Sequence, residues 1–223
     1  MTGPCAAAFC EDFESGSFDS AKWTLATTGT GNTAVVQKNK SAHGNYAALF
    51  HYAGTRGTWA MILAKLPASL RAHHFGRANV FFQAPLPDRH APLITAGTSG
   101  FPNSYSYLEV AAISSTFQLT FVNAGNAGGG EAYASGGSYP SGRWFCLGWE
   151  FNDTPDEAKV LVDGTPVFAK SPFTFNGKTS GLVGGFTDLS LGFRLWGSGG
   201  GDAPNDLYYD DIAIDGQPVA CPG

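Results

Sequence analysis

The residues best suited to chemistry lie in and just after one predicted strand, in the stretch from 76 to 97. Alternate side chains of a strand point to opposite faces, so Val80 and Phe82 would enter the core while their neighbours line the other surface. Those neighbours are Arg77, Asn79, Phe81 and Gln83. Prolines then end the strand, and a loop carrying His90 leads into a second apolar strand, 93–96. We therefore expect a cation, amides, an aromatic ring and a histidine to converge near one strand pair.

A plainer interpretation gives these residues no chemical role. In it, Arg77 pairs with a surface carboxylate and His90 caps a loop. Of the five histidines, His90 is still the most specific candidate. His51 lies in an apolar strand, where it would donate to a core carbonyl, and the adjacent pair at 73 and 74 is expected in a loop.

Two later segments also alternate between a polar or aromatic face and an apolar one. In the strand predicted at 105–113, one face carries Tyr105, Tyr107 and Glu109. In the strand predicted at 189–196, Arg194 and Trp196 share the face opposite the apolar residues. Such faces can stay wet and still offer flat rings and hydrogen bonds to a sugar chain.

The composition predicts a compact all-β protein. The chain has 223 residues, 43% of them hydrophobic, with 17 Phe and 5 Trp, which is enough for a sizeable core. It has 30 Gly and only 14% charged residues, which indicates many short strands and tight turns. Regular strand spacing without a long helix predicts a sandwich of two antiparallel sheets. Nothing resembles a linker, so we expect one domain over 1–223, with the Gly-rich segment 125–142 as a long loop.

The charge argues against two classes of partner. The formal net charge is −5 and no basic run is present, so neither nucleic acid nor an anionic membrane is expected as a partner.

No apolar segment approaches the ~20 residues that a membrane helix needs. The first four residues have neither the basic start nor the apolar run of a signal peptide, so we expect the sequence to begin after a removed one. A secreted monomer is the resulting prediction.

The four cysteines, at 5, 10, 146 and 221, form no closely spaced metal-binding pairs. In a Gly- and Thr-rich chain, two disulfides in a secreted protein are a better interpretation than free thiols. A bond between Cys5 or Cys10 and Cys146 or Cys221 would be reasonable if the terminal strands lie side by side. The pairing stays open.

Five short motifs occur in a particular order between Asp12 and Ile214. They are Phe75-Gly76-Arg77, then Pro87 followed by His90, then Trp144-Phe145-Cys146 with Trp149-Glu150, then Val162-Asp163-Gly164, and finally Tyr208-Tyr209-Asp210-Asp211-Ile212. In this order they resemble the secreted cellulose-induced proteins of fungi and their bacterial relatives. That family shares a concanavalin A-like β-jelly roll with glucuronan lyases and, more distantly, alginate lyases. The resemblance implies a two-sheet jelly roll in which one concave sheet forms a groove for polysaccharide.

The resemblance also implies a structural calcium ion where the first and last strands meet. Its ligands would come from Glu14, the turn holding Ser41 and His43, and Asp210 or Asp211. We prefer Asp210, because a regular strand would place it on the same face as the apolar residues at 212 and 214 and so turn it inward. The alternative is that these acids pair with a lysine or accept backbone hydrogens.

Lyases of this fold cleave uronic-acid chains by β-elimination, so the resemblance implies roles for the candidates. Arg77, Asn79 or Gln83 would neutralise the substrate carboxylate, His90 would take the proton, and Tyr107 or Tyr105 would return one. Arg194 would bind a second carboxylate. Phe81 and Trp196 would contact sugar rings.

The chain departs from some relatives. The Gln-Ile-His and Tyr-Phe-Lys-Ala-Gly signatures of alginate lyases are missing, and so is the Glu-x-Asp-x-x-Glu strand of retaining glucanases, whose paired carboxylates hydrolysis requires. Three functions remain. The first is a lyase acting on a uronate-containing polysaccharide, the second a non-catalytic carbohydrate-binding module with a structural calcium, and the third a structural or adhesion domain.

Overall fold

Nearly every described residue belongs to a strand or to a short connection between strands. The computed structural model describes residues 5–83, 90–98, 106–113, 116–123, 130–153, 156–170, 174–175, 178–179, 185–195 and 202–221. Within these ranges the strands are β1 (Phe9–Glu11), β2 (Thr24–Thr27), β3 (Thr33–Gln37), β4 (Ala47–Tyr52), β5 (Trp59–Lys65), β6 (His73–Phe82), β7 (Ala91–Gly97), β8 (Ser106–Ile113), β9 (Thr116–Asn123), β10 (Gly130–Ser138), β11 (Trp144–Asp153), β12 (Asp156–Val162), β13 (Thr165–Lys170), β14 (Thr174–Phe175), β15 (Lys178–Thr179), β16 (Asp188–Arg194) and β17 (Asn205–Asp215). A 3-10 turn spans Ala68–Leu70.

The long strands form two antiparallel sheets. The eight-stranded sheet has the order β13-β12-β11-β6-β17-β4-β3, with β1 also paired to β17. The seven-stranded sheet has the order β10-β9-β8-β7-β16-β5-β2. β14 and β15 pair only with each other among the described strands. The predicted all-β sandwich of two antiparallel sheets is therefore confirmed.

The hydrophobic core lies between the two sheets and is rich in aromatic rings. On β6, Val80 and Phe82 point into it, as the alternation predicts. Phe193 of the seven-stranded sheet contacts two aromatic rings of the eight-stranded sheet. Its ring centroid lies 5.0 Å from that of Tyr52 and 5.7 Å from that of Phe82. Rings packed in this way contribute about 0.5–1.5 kcal/mol per pair beyond the apolar area they bury.

His74 belongs to this core as well, so the expectation of a loop at 73 and 74 is wrong. Both residues begin β6, and the ring of His74 is fully buried against Phe151 and Phe186. Nδ1 of His74 lies 3.0 Å from the carbonyl oxygen of Leu70. Alternation along the strand explains why its side chain points inward. His74 is an even number of positions from Val80 and Phe82, which also point into the core.

Gly76 is required at its position by the packing of a tryptophan. A Cβ atom added to Gly76 would lie 2.1 Å from Cζ2 of Trp149 on the neighbouring strand β11. No side chain fits in that space, so the indole ring packs directly on the backbone of β6. Two motifs that are 73 positions apart, at 76 and 149, thus depend on each other.

A bulge in β17 overturns the expected direction of Asp210. Asp211 has a positive φ of 49°, and the pairing of β17 with β6 shifts between Asp210 and Ala213. Asp210 therefore shares its face with Tyr208, away from the core, whereas Ile212 points into the core. The prediction that Asp210 points inward is wrong because a bulge reverses the alternation that follows it. Asp210 is still only 1% exposed.

The Gly-rich segment 125–142 is not simply a long loop. Its residues 130–138 form β10, which pairs with β9 along the edge of the seven-stranded sheet. A strand needs only backbone hydrogen bonds to pair, so a Gly-rich sequence can supply one when an edge is available. The register shifts between Gly136 and Ser138, where two glycines allow a bulge.

Two disulfides form, as predicted, but not between the two ends of the chain. Cys5 pairs with Cys10, and Cys146 pairs with Cys221. The expected bond from Cys5 or Cys10 to Cys146 or Cys221 is wrong, because Cys5 and Cys10 bond each other and Cys146 on β11 bonds the C-terminal segment.

In the part of the chain that the structure describes, no helix is long and apolar enough to cross a membrane.

Candidate functional site

A buried polar cluster lies on the seven-stranded sheet, on the face turned away from the core. The register of three neighbouring strands places Thr95, Glu109 and Thr120 directly opposite one another. Their side chains alternate with core residues such as Ile94 and Val110, so the polar row follows from the pleat of the strands. All three are almost fully buried, with Glu109 only 1% exposed.

His90 joins this row from the residue just before β7. Its Nε2 atom lies 2.9 Å from Oε1 of Glu109 and 3.3 Å from Oγ1 of Thr120. The other carboxylate oxygen of Glu109 accepts a hydrogen bond of 3.1 Å from Oγ1 of Thr95. Glu109 is therefore fixed by one threonine and faces one nitrogen of the imidazole. When Nε2 carries the proton, Nδ1 has the free lone pair.

Arg194 and Tyr107 complete the cluster, which we call the His90 cluster: His90, Thr95, Tyr107, Glu109, Thr120 and Arg194. Burial lowers the pKa of Arg194, while the charges of Glu109 and Tyr107 oppose that shift. A guanidinium stays protonated under such conditions. Its carbon lies 5.1 Å from the ring centroid of Trp59, which supports the planar group from one side.

Solvent is largely excluded from the His90 cluster. Tyr107 and Arg194 are each 7% exposed, and the side chain of His90 is the most accessible at 20%. Electrostatic interactions are stronger in such surroundings than in water. The cluster thus holds a neutral or cationic imidazole, a phenol, a guanidinium and a carboxylate in one water-poor site.

The four site residues predicted on and just after β6 are not part of this cluster. β6 pairs with β11 and β17 in the eight-stranded sheet, whereas β7 pairs with β8 and β16 in the other sheet. The expectation that Arg77, Asn79, Phe81 and Gln83 gather with His90 is therefore wrong. β6 and β7 are consecutive in sequence, but the chain changes sheets between them.

Each of these residues has other partners on the eight-stranded sheet. Arg77 donates to the backbone oxygen of Asp211 at 3.0 Å, and Asn79 donates to Oδ2 of Asp211 at 2.9 Å. Burial lowers the pKa of Arg77, and the charge of Asp211 opposes that shift. Phe81 packs against Trp144, with ring centroids 5.7 Å apart. The exposed Gln83 follows the last residue of the strand, and its backbone N–H donates to the backbone oxygen of residue 206.

Two further predicted site residues, Tyr105 and Trp196, lie outside the described residues.

The predicted calcium ligands lie within the loop 41–46 and on either side of it. On one side, Oε1 of Glu14 accepts hydrogen bonds of 2.9 Å from the backbone N–H groups of Asn45 and Tyr46. On the other side, Oδ2 of Asp210 accepts from the N–H groups of Ala42 at 2.9 Å and His43 at 3.1 Å. The hydroxyl of Ser41 donates to the carbonyl of Gly44 at 3.2 Å, and Nδ1 of His43 contacts Oδ2 of Asp211.

The chemistry of these donors fits a hard cation, although they are not gathered around one point. Among the described residues, no group of three or more His, Cys, Asp or Glu side chains could hold a metal ion. Burial raises the pKa of Asp210 to about 6, and all its hydrogen-bond donors are backbone N–H groups. A calcium ion close to Asp210 would stabilise its ionised form. Calcium stays a prediction.

Sequence reasoning missed Glu109, Thr95 and Thr120 as site residues. The alternation did place Glu109 on the same face as Tyr107, which was the available signal. Its importance depends on the register of β8 with β7 and β9, which brings two threonines to it, and on His90, which reaches it from the residue before β7.

Comparison with known proteins gives likeness in structure only. No protein-family model and no curated protein matches the chain. Among solved structures it is similar to "Cellulose induced protein, Cip1", with a TM-score of 0.71 and 16% identity, over 96% of this chain and 100% of that one. It is also similar to an endo-β-1,4-glucuronan lyase from the fungus Trichoderma reesei, with a TM-score of 0.71 and 12% identity, over 95% and 96% of the two chains. A sialidase matches with a TM-score of 0.60 and 14% identity, over 94% of this chain and 18% of that one. The chain thus shares the β-jelly-roll fold of Cip1 and the glucuronan lyase, as its motifs predicted.

Proposed function

We propose that this protein is a polysaccharide lyase that cleaves a uronate-containing chain by β-elimination at the His90 cluster. The observation that carries the proposal is the convergence of His90, Tyr107 and Arg194 around Glu109 in a water-poor site. The reaction needs a base, an acid and a cation that neutralises a carboxylate, and these side chains supply one of each.

His90 acts as the base in this proposal. In this proposal Nε2 of His90 keeps its proton and faces Oε1 of Glu109 at 2.9 Å, so the lone pair of Nδ1 is free to take the proton from the carbon next to the uronate carboxylate. The carboxylate of Glu109 then stabilises the imidazolium that forms. Thr95 holds the other oxygen of Glu109 in place. Glu109 is therefore a positioning residue.

Arg194 neutralises the carboxylate, and Tyr107 protonates the leaving group. As the proton leaves, charge develops on the substrate carboxylate, and a preorganised guanidinium lowers the energy of that state. The electron pair forms a carbon–carbon double bond and expels the glycosidic oxygen. Tyr107 donates its proton to that oxygen, so each proton and electron pair has a destination. Arg194 replaces Arg77 in this role, because Arg77 lies on the other sheet.

Two further observations support the proposal. The glucuronan lyase that this chain resembles in fold acts, by its name, on a polyuronate. In addition, hydrolysis with retention needs two carboxylates about 5–5.5 Å apart, and Glu109 is the one carboxylate of the His90 cluster as the structure describes it. The cluster therefore lacks the carboxylate pair of a retaining glycosidase, whereas its base, acid and cation match the needs of elimination.

Calcium is the second part of the proposal, in a structural role. Glu14 and Asp210 would hold the ion, with the loop 41–46 between them. Bound calcium would supply positive charge to two acids whose described partners are uncharged: backbone N–H groups for Asp210, and backbone N–H groups and the Asn45 amide for Glu14. The ion takes no part in the elimination.

The test is the ultraviolet absorbance of an unsaturated uronate during incubation with glucuronan, alginate, pectate or xylan. We expect the signal with at least one polyuronate, and a loss of about 10²–10⁴-fold in His90→Gln. His73→Gln is the matched control, since His73 also pairs with a carboxylate, that of Glu150 at 3.0 Å, but on the other sheet. We expect its rate to equal that of the parent protein.

The absence of signal with every polyuronate would reject the lyase. A signal that His90→Gln and His73→Gln lower equally would reject His90 as the base, because either change would then only disturb folding. Unchanged sugar binding by His90→Gln together with no elimination in the parent would leave the carbohydrate-binding module as the function.

A further inference from the structure

A row of apolar side chains crosses the outer face of the eight-stranded sheet. The register of five neighbouring strands places its members directly opposite one another, and we call the row the outer stripe. Its members, in order, are Trp144, Phe81, Tyr208, Leu49 and Val35. The residues on either side of Phe81, Tyr208 and Leu49 point into the core, as does Phe145 next to Trp144, so the stripe is on the outside of the sandwich.

The outer stripe is partly exposed along its length. Val35 is 43% exposed, Trp144, Phe81 and Leu49 are half-buried, and Tyr208 is nearly buried. Adjacent strands are about 4.8 Å apart, so five strands make the stripe about 19 Å long. A long, narrow apolar row of this kind is unlike the scattered single residues of an ordinary surface.

Positive charge lies on the stripe itself. Nζ of Lys40 is 3.5 Å from the ring centroid of Phe81 and 5.3 Å from that of Tyr208. The exposed Lys38 comes from the same segment, and its Nζ lies 5.0 Å from the ring of Tyr46. Aromatic rings hold an ammonium group in place electrostatically, so Lys40 presents a fixed cation at the middle of the stripe.

Hydrogen-bonding groups follow the opposite side of the stripe. Two positions further along the same strands are Asp206, His51 and Thr33, which the register again places in one row. Nδ1 of His51 lies 2.7 Å from Oδ1 of Asp206, and both are partly exposed. The surface therefore combines apolar contact, a cation and polar groups along one direction.

We propose that the outer stripe is a second, non-catalytic binding site for the polyuronate chain, an inference that rests on the proposed function. Sugar rings lie against Trp144 on one side of Lys40 and against Leu49 and Val35 on the other, and a uronate carboxylate pairs with Lys40. Phe81, which the sequence predicted as a sugar contact, supports that lysine from below. The site anchors a long substrate on the sheet opposite the His90 cluster.

Charge and shape favour this occupant over a second copy of the chain. A two-fold dimer through this face would bring Lys40 of one copy toward the stripe and lysines of the other, which is repulsive. A stable protein interface also needs about 800 Å² from each partner, whereas the stripe is one side chain wide. A polyanionic polymer matches both the lysines and the width.

The test measures binding of glucuronan and of a neutral cello-oligosaccharide by calorimetry, with all proteins carrying His90→Gln to stop turnover. Trp144→Ala and Lys40→Gln should each weaken glucuronan binding about five- to tenfold, and Lys40→Arg should restore it. Lys40→Gln should also reduce the dependence of affinity on salt. Lys159→Gln is the matched control, because Lys159 lies on the same sheet but pairs with Glu150 at 3.0 Å, away from the stripe. Its affinity should not change.

The outcomes separate this inference from the proposed function. Equal glucuronan affinity in the parent, Lys40→Gln and Trp144→Ala proteins overturns the inference, even if the protein with His90 intact shows the lyase signal. Loss of binding in those variants without any lyase signal supports the stripe and rejects the lyase. Equal binding of the neutral oligosaccharide overturns a polyuronate as occupant. A dimer seen in sedimentation that Trp144→Ala dissociates identifies a second copy instead. Lys40→Gln keeps the test valid if Trp144→Ala does not fold.

Discussion

Arg77 and Arg194 are both buried arginines, but their partners differ. That difference distinguishes a structural role, for Arg77, from the catalytic role that we propose for Arg194. They are 3% and 7% exposed, and burial lowers the pKa of both. Arg77 donates to the backbone of Asp211 at the bulge of β17, where the fold needs a donor. Arg194 lies with the side chains of Glu109 and Tyr107 over Trp59. We therefore assign Arg77 to the bulge that it holds, and we propose Arg194 for the substrate because it lies in the His90 cluster.

The largest expected effect comes from Arg194→Gln. We expect the elimination rate to fall about 10²–10³-fold, since an interaction made with developing charge is lost. The melting temperature should fall as well, because buried Glu109 loses a neighbouring cation, so the rate is compared per folded molecule. The measurement is the initial rate of absorbance increase beside a thermal melt. An undiminished rate would show that Arg194 has no role in the reaction.

Arg77→Gln should lower stability but leave the rate per folded molecule unchanged. Loss of the guanidinium leaves the carbonyl of Asp211 without a buried donor, which we expect to cost about 3 kcal/mol of unfolding free energy. Urea denaturation measures this cost. The rate per folded molecule should equal that of the parent. If Arg77→Gln lowers that rate as much as Arg194→Gln does, the contrast between the two arginines is wrong.

His74 shows what burial does to an imidazole whose described hydrogen-bond partner is a backbone carbonyl. Burial lowers its pKa to about 4 from an ordinary 6.5. The unfolded chain binds the proton more readily, so stability is fully present above pH 6.5 and is lost as the pH falls toward 4. We expect a loss of about 2 kcal/mol between pH 7 and pH 4.5 from this group. Urea denaturation at the two pH values should show a smaller loss in His74→Leu, and an identical loss would contradict the assignment.

Calcium should have a smaller effect on the loop 41–46. At a concentration of ten times its Kd, calcium stabilises the folded protein by about 1.4 kcal/mol, which raises Tm by about 4 °C. A chelator should remove that increase, and Asp210→Asn should not show it. Glu150→Gln is a control carboxylate on the same sheet and should keep the response. No shift in the parent, with no metal found by elemental analysis, would remove the proposed ion.

Sequence alone gave the fold to a large extent, because alternation and turn residues are local. The strand with Val80 and Phe82 inward, the turn at Asp163 and Gly164 and the absence of long helices follow from neighbours in sequence. The direction of Asp210 did not follow, since one residue with positive φ reverses every later position on the strand.

The site was only half predictable, for a different reason. His90, Tyr107 and Arg194 were recognisable by residue type and by face. Which of them meet depends on sheet order, and no local pattern states that β6 and β7 belong to different sheets. Glu109 is assigned to the candidate site because its Oε1 lies 2.9 Å from Nε2 of His90, although the two residues are 19 positions apart in sequence.

The most direct test of the central claim is proton NMR of the products formed from glucuronan, alginate, pectate and xylan. With at least one of them, the account predicts a vinyl proton signal from a new carbon–carbon double bond at one chain end, formed by the parent and His73→Gln proteins and at least about 10²-fold more slowly by His90→Gln. New reducing ends without a vinyl signal would mean hydrolysis and would contradict the account, as would four substrates that all stay intact.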